Sequence, residues 1–279
     1  MPDQTLIITS RSNPRIKRVR ELIWKGQVDS GNRLPVEGLN LVREALRSHL
    51  AVEEAYFCAG RAREHELREI RRQAERIGAG IWVVADGVFK SLVDTEAHQG
   101  VVAVVRLPRI RLEEVTQDSS FLLLADQLQD PGNLGTLIRS AEAFGVDAVL
   151  LTENTVSPAN QKSVRASAGS IFRMPVLTGL KLSGLLDELD RRSFMLAAAT
   201  PQGGQDFRNI DFRGRTALVV GNEGSGLSKA TLERVPLRVT VPLFGSVESL
   251  NVAVASSIIL SEVARQRRRD ATTILNKSD

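Results

Sequence analysis

Residues 121–139 read FLLLADQLQDPGNLGTLIR, and their pattern decides the fold. Phe121 to Ala125 is an unbroken apolar run of the length expected for a strand buried on both faces. Turn-forming residues follow at Asp130, Pro131, Gly132 and Asn133, with Asn133 placed to cap a helix. Leu134, Leu137, Ile138 and Ala141 then recur at helical spacing, and the pattern stops before Gly145. The same alternation continues downstream. It predicts strands at 148–151, 194–198, 217–220 and 238–241, and helices at 158–166, 182–191 and 249–268. Strands separated by helices need crossover connections, so this half reads as a mostly parallel sheet covered on both faces.

Toward the N-terminus the patterning is α/β again, on a smaller scale. Ser12-Asn13-Pro14 supplies a cap with proline at the first helical position, opening a helix to about Trp24. Strands are predicted at 34–36, 52–58, 81–84 and 101–105, with helices near 39–46 and 61–77. Residues 106–120 are polar and without sustained period, with Pro108 among them. The domains expected are therefore 1–107 and 119–279, joined by a linker at 108–118.

Composition narrows the function. With 279 residues, 42% of them hydrophobic, the chain can build its core without metal or disulfide staples. A single cysteine, Cys58, excludes an intramolecular disulfide and suits a reducing, cytoplasmic compartment. His49, His65 and His98 share no ligand spacing, so no metal is expected. No apolar run is long enough for a membrane span, and residues 1–10 lack the pattern of a secretory leader. The net charge of +4 permits a nucleic-acid partner without demanding one. Cations do cluster, at Arg11, Arg15, Lys17, Arg18 and Arg20, and at Arg265, Arg267, Arg268 and Arg269. Taken alone, each cluster reads as a solvated helix face or a fraying terminus.

Two further segments are unlike ordinary α/β connections. Residues 221–229, GNEGSGLSK, directly follow the strand at 217–220. Glycine here lets backbone approach a ligand or another loop closely. The segment is no Walker A loop, because Leu227 stands where the phosphate-binding lysine belongs. It also fails the Rossmann pattern, since Gly224 and Gly226 are followed by Lys229 at the third glycine position. A glycine loop with one acid, Glu223, suits a neutral or cationic ligand better than a polyphosphate. Residues 239–253, VTVPLFGSVESLNVA, end a strand at Pro242, turn at Gly245 and offer Ser249 as the cap of the last helix. Ala253, Ala255, Ser256 and Ser257 give that helix a small-residue face fit for close packing. No G-x-S-x-G elbow occurs and no histidine neighbours a nucleophile, which weighs against a hydrolase.

Together the three segments resemble the SpoU (TrmH-like) branch of the SPOUT methyltransferases. Asn133 to Arg139 matches that family's N-x5-R motif, Gly221 to Gly226 its G-N-E-G-x-G, and Pro242 to Asn251 its proline-to-asparagine stretch. The resemblance spans about residues 118–267. The first domain is similar to the family's substrate-binding module at Pro35-Val36-Glu37-Gly38, Leu92-Val93-Asp94-Thr95 and Gly100-Val101-Val102-Ala103. What the resemblance implies is an α/β chain in which a small RNA-binding module precedes a parallel-sheet domain containing a trefoil knot. Knots are so rare that no local pattern would suggest one. It further implies a homodimer that uses S-adenosylmethionine to methylate a ribose 2′-hydroxyl of RNA, ribosomal RNA by the two-domain arrangement.

On the same ground Arg139, Asn133, Glu223, Ser249 and Asn251 are the catalytic candidates. Gly221, Asn222, Gly224, Val241, Leu243, Leu250 and Asn251 are the expected cofactor contacts. The cluster Arg11, Arg15, Lys17 and Arg18 becomes the expected RNA-binding surface. Two other readings stay open, a non-catalytic RNA-binding protein and a methyltransferase acting on transfer RNA. Equilibrium binding of S-adenosylmethionine separates the first of these from an enzyme.

Overall fold

A computed structural model describes residues 7–93 and 98–275, with side chains up to residue 267 at the C-terminal end. Asp94 and Thr95 of the resemblance, and the side chains of Arg268 and Arg269, lie outside the described residues. In chain order the first elements are β1 (Ile7–Ile8), α1 (Pro14–Lys25), β2 (Arg33–Glu37), α2 (Leu39–Arg47), β3 (Ala51–Cys58), α3 (His65–Arg76), β4 (Gly80–Val84), α4 (Asp86–Phe89) and β5 (Val101–Arg106). There follow α5 (Leu112–Asp118), β6 (Phe121–Ala125), α6 (Pro131–Ala143), β7 (Ala148–Thr152), α7 (Gln161–Ala166), β8 (Val176–Leu180), α8 (Leu182–Arg191) and β9 (Met195–Ala199). The last are β10 (Gln205–Asp206), β11 (Thr216–Val220), α9 (Lys229–Arg234), β12 (Leu237–Thr240) and α10 (Val252–Leu275).

Two compact units result, Met1–Arg109 with Ser157–Arg173, and Ile110–Val156 with Met174–Asp279. The stretch expected to be a linker is ordered instead. Leu112–Asp118 is helical because Ile110, Leu112 and Val115 have an apolar surface to cover in the second unit. Ser157–Arg173 departs from the expected division for a similar reason. Its Ala159, Val164, Ile171 and Phe172 pack with Leu34, Val36, Leu41 and Val42 of the first unit.

The first unit is built on a sheet of order β1-β4-β3-β5-β2. Strands β1, β3 and β4 run parallel, and β5 is antiparallel to both β3 and β2. Along β5 the side chains alternate between two cores. Val101, Ala103 and Val105 face α2 and α3, while Val102 and Val104 face Ile16, Val19 and Ile23 of α1. Helix α1 begins as its sequence dictates, with Asn13 accepting from Arg15 N at 2.9 Å and Pro14 in the first turn.

The second unit carries seven parallel strands in the order β10-β12-β9-β11-β6-β7-β8. Phe121, Leu123 and Ala125 of β6 pack toward α6 and α10, and Leu122 and Leu124 toward α5 and α8. Burial on both faces is why these strands read as unbroken apolar runs. Strand β8, absent from the sequence reading, is an edge strand with Thr178 and Gly179 exposed, so it carries no such run. Helix α6 is capped by Asp130, whose side chain accepts from Asn133 N at 2.8 Å. Asn133, expected at the cap, therefore sits inside the first turn, because Pro131 takes the first helical position. The cap of α10 is Asn251, not Ser249; its Oδ1 accepts from Ala253 N at 2.9 Å.

Arg267 corrects the reading of the C-terminal cation run as a solvated face. Its guanidinium donates to Phe212 O and Ser120 O, each at 3.0 Å, and to Gly214 O at 2.5 Å, and lies 4.8 Å over the Phe121 ring. Five donors in a planar fork suit this task, which a lysine cannot perform. Replacing Arg267 with alanine strands carbonyls with no partner and is expected to cost about 3 kcal/mol. A fall in melting temperature of about 5–10 °C in a thermal unfolding scan is the expected result.

Candidate active site

Strands β12, β9, β11 and β6 are neighbours and parallel, so their C-terminal ends share one edge of the sheet. In open parallel sheets that edge, where connections diverge, is where ligands bind. Here the segments following these strands enclose a cavity of about 660 Å³. It is lined by Asn133, by Ala199, Thr200, Pro201 and Gln202, by residues 220–227, and by Val239, Val241, Leu243 and 249–252. This volume lies within the range of small-molecule sites. Among the described residues lining it, Arg238 on β12 is the one cation and Glu223 the one carboxylate.

The glycine loop is shaped from within. Asn222 and Gly226 exchange backbone hydrogen bonds at 3.1 and 2.9 Å, closing a tight turn. A Cβ on Gly221 would lie 2.5 Å from Gly226 C and 2.6 Å from Leu227 N, so only glycine fits there. Asn222 Oδ1 accepts from Gly224 N at 2.9 Å and Ser225 N at 3.0 Å, while its Nδ2 donates to Gln127 O at 2.9 Å. Gln127 is held at a φ of 55°, a left-handed conformation that a non-glycine residue adopts at some cost.

A polar relay then ties three loops together. The Glu223 carboxylate accepts from Gln129 N at 3.1 Å, Asp130 N at 2.9 Å and Asn133 Nδ2 at 3.0 Å. Asn133 Oδ1 in turn accepts from Asn251 Nδ2 at 2.8 Å. Burial pushes the Glu223 carboxyl upward, but these hydrogen bonds outweigh it and hold the group below its usual range. Glu223 is thus an ionised acceptor that organises the start of α6, rather than a poised general acid.

The segment 120–261 matches the SpoU rRNA Methylase family, and 35–111 matches RNA 2′-O ribose methyltransferase substrate binding. Over 255 residues the chain is 35% identical to the 23S rRNA (guanosine(2553)-2′-O)-methyltransferase RlmP of Bacillus subtilis, covering 91% of this chain and 97% of that one. The chain belongs to the SpoU rRNA methylase family. RlmB of Bordetella pertussis, a 23S rRNA (guanosine-2′-O-)-methyltransferase, is 35% identical over 223 residues, or 78% of this chain and 91% of that one. Among solved structures, the SpoU methyltransferase AviRb from Streptomyces viridochromogenes in complex with AdoMet aligns with a TM-score of 0.80. Identity there is 28%, with 91% of this chain and 98% of that one covered.

Within this SpoU chain, Gly221, Asn222, Gly224, Val241, Leu243, Leu250 and Asn251 all line the one cavity, together with Asn133, Glu223 and Ser249. Arg139 does not. It is exposed on α6, without a hydrogen-bond or ion-pair partner among the described residues, and is not part of the cavity lining. Of the expected RNA-binding set, Arg15 and Arg18 both pair with Glu54, and Arg15 also lies 4.1 Å over the Trp82 ring. Arg11 donates to Gly87 O at 2.9 Å, and Lys17 is exposed. Sequence reasoning missed Thr200, Pro201 and Gln202 altogether. The signal was present, since they follow a predicted parallel strand and precede Gly203-Gly204. Gly204 packs so closely on β12 that a Cβ would sit 2.5 Å from Thr240 Oγ1.

Proposed function

We propose that this chain transfers a methyl group from S-adenosylmethionine to a ribose 2′-hydroxyl of ribosomal RNA. The observation that carries the reading is the cavity at the strand ends, roofed by the two motif loops and locked by the Glu223–Asn133–Asn251 relay. S-adenosylmethionine, when bound, supplies a methyl group on a positively charged sulfur, open to attack by an oxygen. The cavity fits such a ligand. Its described lining holds a single cation, Arg238 on β12, with none on the loops at 199–204, 220–227 and 241–252, as suits a ligand without phosphate. Backbone groups at Gly221, Asn222, Gly224, Val241, Leu243 and Leu250 are the ones to hold the adenosine.

The remaining task is to ready the hydroxyl. Arg139 is the residue for it, through charge and not as a base, because a guanidinium stays protonated far above neutral pH. Donating to the 2′-oxygen, it stabilises the negative charge that builds there as the proton leaves toward an RNA phosphate. Asn133 and Asn251 position the loops around it. Ser249, on the rim, shapes the entrance.

The exposure of Arg139 on α6 is accounted for by a homodimer. Helices α6 and α10 present an open groove of about 540 Å³, lined by Thr136, Phe207, Ala253, Val254 and Ile258. A second copy seated there brings Arg139 of one subunit toward the cavity of the other. The trefoil knot is proposed on similar support. The chain passes from β11 beyond β9 to β12, then returns through 241–251 to pack α10 on α6. A cytoplasmic location suits ribosomal RNA as substrate. Among the described residues no helix is long and apolar enough to cross a membrane, and no cluster of metal-ligating side chains occurs.

Mapping of 2′-O-methylation across total RNA from cells with and without the gene tests this. The expected result is one ribosomal RNA site that loses its ribose methyl. Loss confined to transfer RNA, or at no site, overturns it.

A further inference from the structure

Trp24, at the end of α1, is 82% exposed, whereas the other tryptophan, Trp82, lies under Arg15. A tryptophan with nothing packed on it needs an account, since its large ring is ordinarily covered. On a helix advancing about 100° per residue, Trp24 falls between Lys17 and Arg20, on a flank of the helix about 100° round from the core residue Ile23. Neither Lys17 nor Arg20 has a hydrogen-bond or ion-pair partner among the described residues. The acid on this face, Glu21, is already paired with Lys25 at 2.5 Å. The surface is therefore an uncovered indole bordered by two uncommitted cations. Helix α1 also lies outside both family-matched segments, 35–111 and 120–261.

We infer that Trp24 is a stacking platform for an unpaired base of the RNA substrate, with Lys17 and Arg20 gripping the flanking phosphates. The inference rests on the proposed RNA reading and deepens it. Stacking on an indole demands a base that is free of its helix, so the site selects a loop, bulge or single strand over a duplex. The cations draw in any phosphate chain, and the ring then discriminates by strandedness.

The test uses the full chain and a protein-free, unmodified ribosomal RNA transcript, with affinity measured by filter binding, without chemistry. Trp24→Ala is expected to weaken binding about 5- to 150-fold, the range for loss of one base stack. Trp24→Phe should recover most of it. The loss should fall on the Kd for RNA and leave the affinity for S-adenosylmethionine as in wild type. Lys17→Gln should flatten the log–log salt dependence by about 0.7–0.9. Wild-type RNA affinity in Trp24→Ala overturns the inference. A shift from dimer to monomer at unchanged RNA affinity also overturns it, assigning the indole to a contact between copies. Absence of methyl transfer by the wild-type chain would instead count against the proposed function, independently of these binding data.

Discussion

Replacing Arg139 with alanine is expected to lower kcat by about 10²- to 10³-fold, the effect of removing one donor aimed at a developing oxyanion. Affinity for S-adenosylmethionine should not change, because Arg139 is not among the residues lining the cavity. Single-turnover methyl transfer alongside calorimetric cofactor binding separates the two effects. Arg139→Lys keeps the charge but loses the planar fork, and an intermediate rate is expected. A lysine variant with near-full activity at neutral pH would show that charge alone suffices and that guanidinium geometry is not required.

The second large effect is expected at Gly221. An alanine Cβ there would press on Gly226 C, Gly226 O and Leu227 N at 2.5–2.6 Å, all of them backbone atoms that cannot rotate away. The turn closed by Asn222 and Gly226 must open, which moves the backbone that faces the cavity and detaches Asn222 from Gln127. Cofactor affinity should fall by about 100-fold or more, by the several kcal/mol that a strained, misplaced loop represents. Gly224→Ala provides the contrast, since its Cβ would meet only Asn222 Oδ1, at 3.5 Å. That variant should keep the loop closed, as amide exchange at Gly226 would report. Equal losses of cofactor binding and of loop closure at both glycines would contradict this view of the loop.

Much of this was written in the sequence at the level of strands and motif loops. Strands buried on both faces advertise themselves as apolar runs, so β6, β7, β9 and β11 were legible, while the half-exposed edge strand β8 was not. Caps were read one polar residue too far along α6 and too early for α10. In α6 the constraint was visible, because Pro131 favours the first helical position and so makes Asp130 the cap. Ser249 and Asn251 are both good caps, and only the structure shows that Asn251 takes the position while also donating to Asn133.

Long-range pairing was beyond reach. That Glu54 would neutralise Arg15 and Arg18 depends on β3 lying beside α1, and that Arg267 would clamp Ser120 depends on α10 returning across the sheet. The relay linking Glu223 to Asn133 likewise joins residues 90 positions apart. Local periodicity carries no information about such contacts. Motif spacing did bring the right loops under suspicion, but it placed Arg139 beside Asn133, and in the folded helix only Asn133 reaches the cavity.

The central claim is ribose methylation of RNA, and one measurement addresses it directly. The purified chain is incubated with unmodified ribosomal RNA transcript and S-adenosylmethionine labelled in its methyl group, and the RNA is digested to nucleosides. The label is expected in a single 2′-O-methylnucleoside, and its initial rate of incorporation is expected to fall about 10²- to 10³-fold when Arg139→Ala replaces the wild-type chain under the same conditions. Label in a base-methylated nucleoside, or none in RNA despite bound cofactor, would contradict the account.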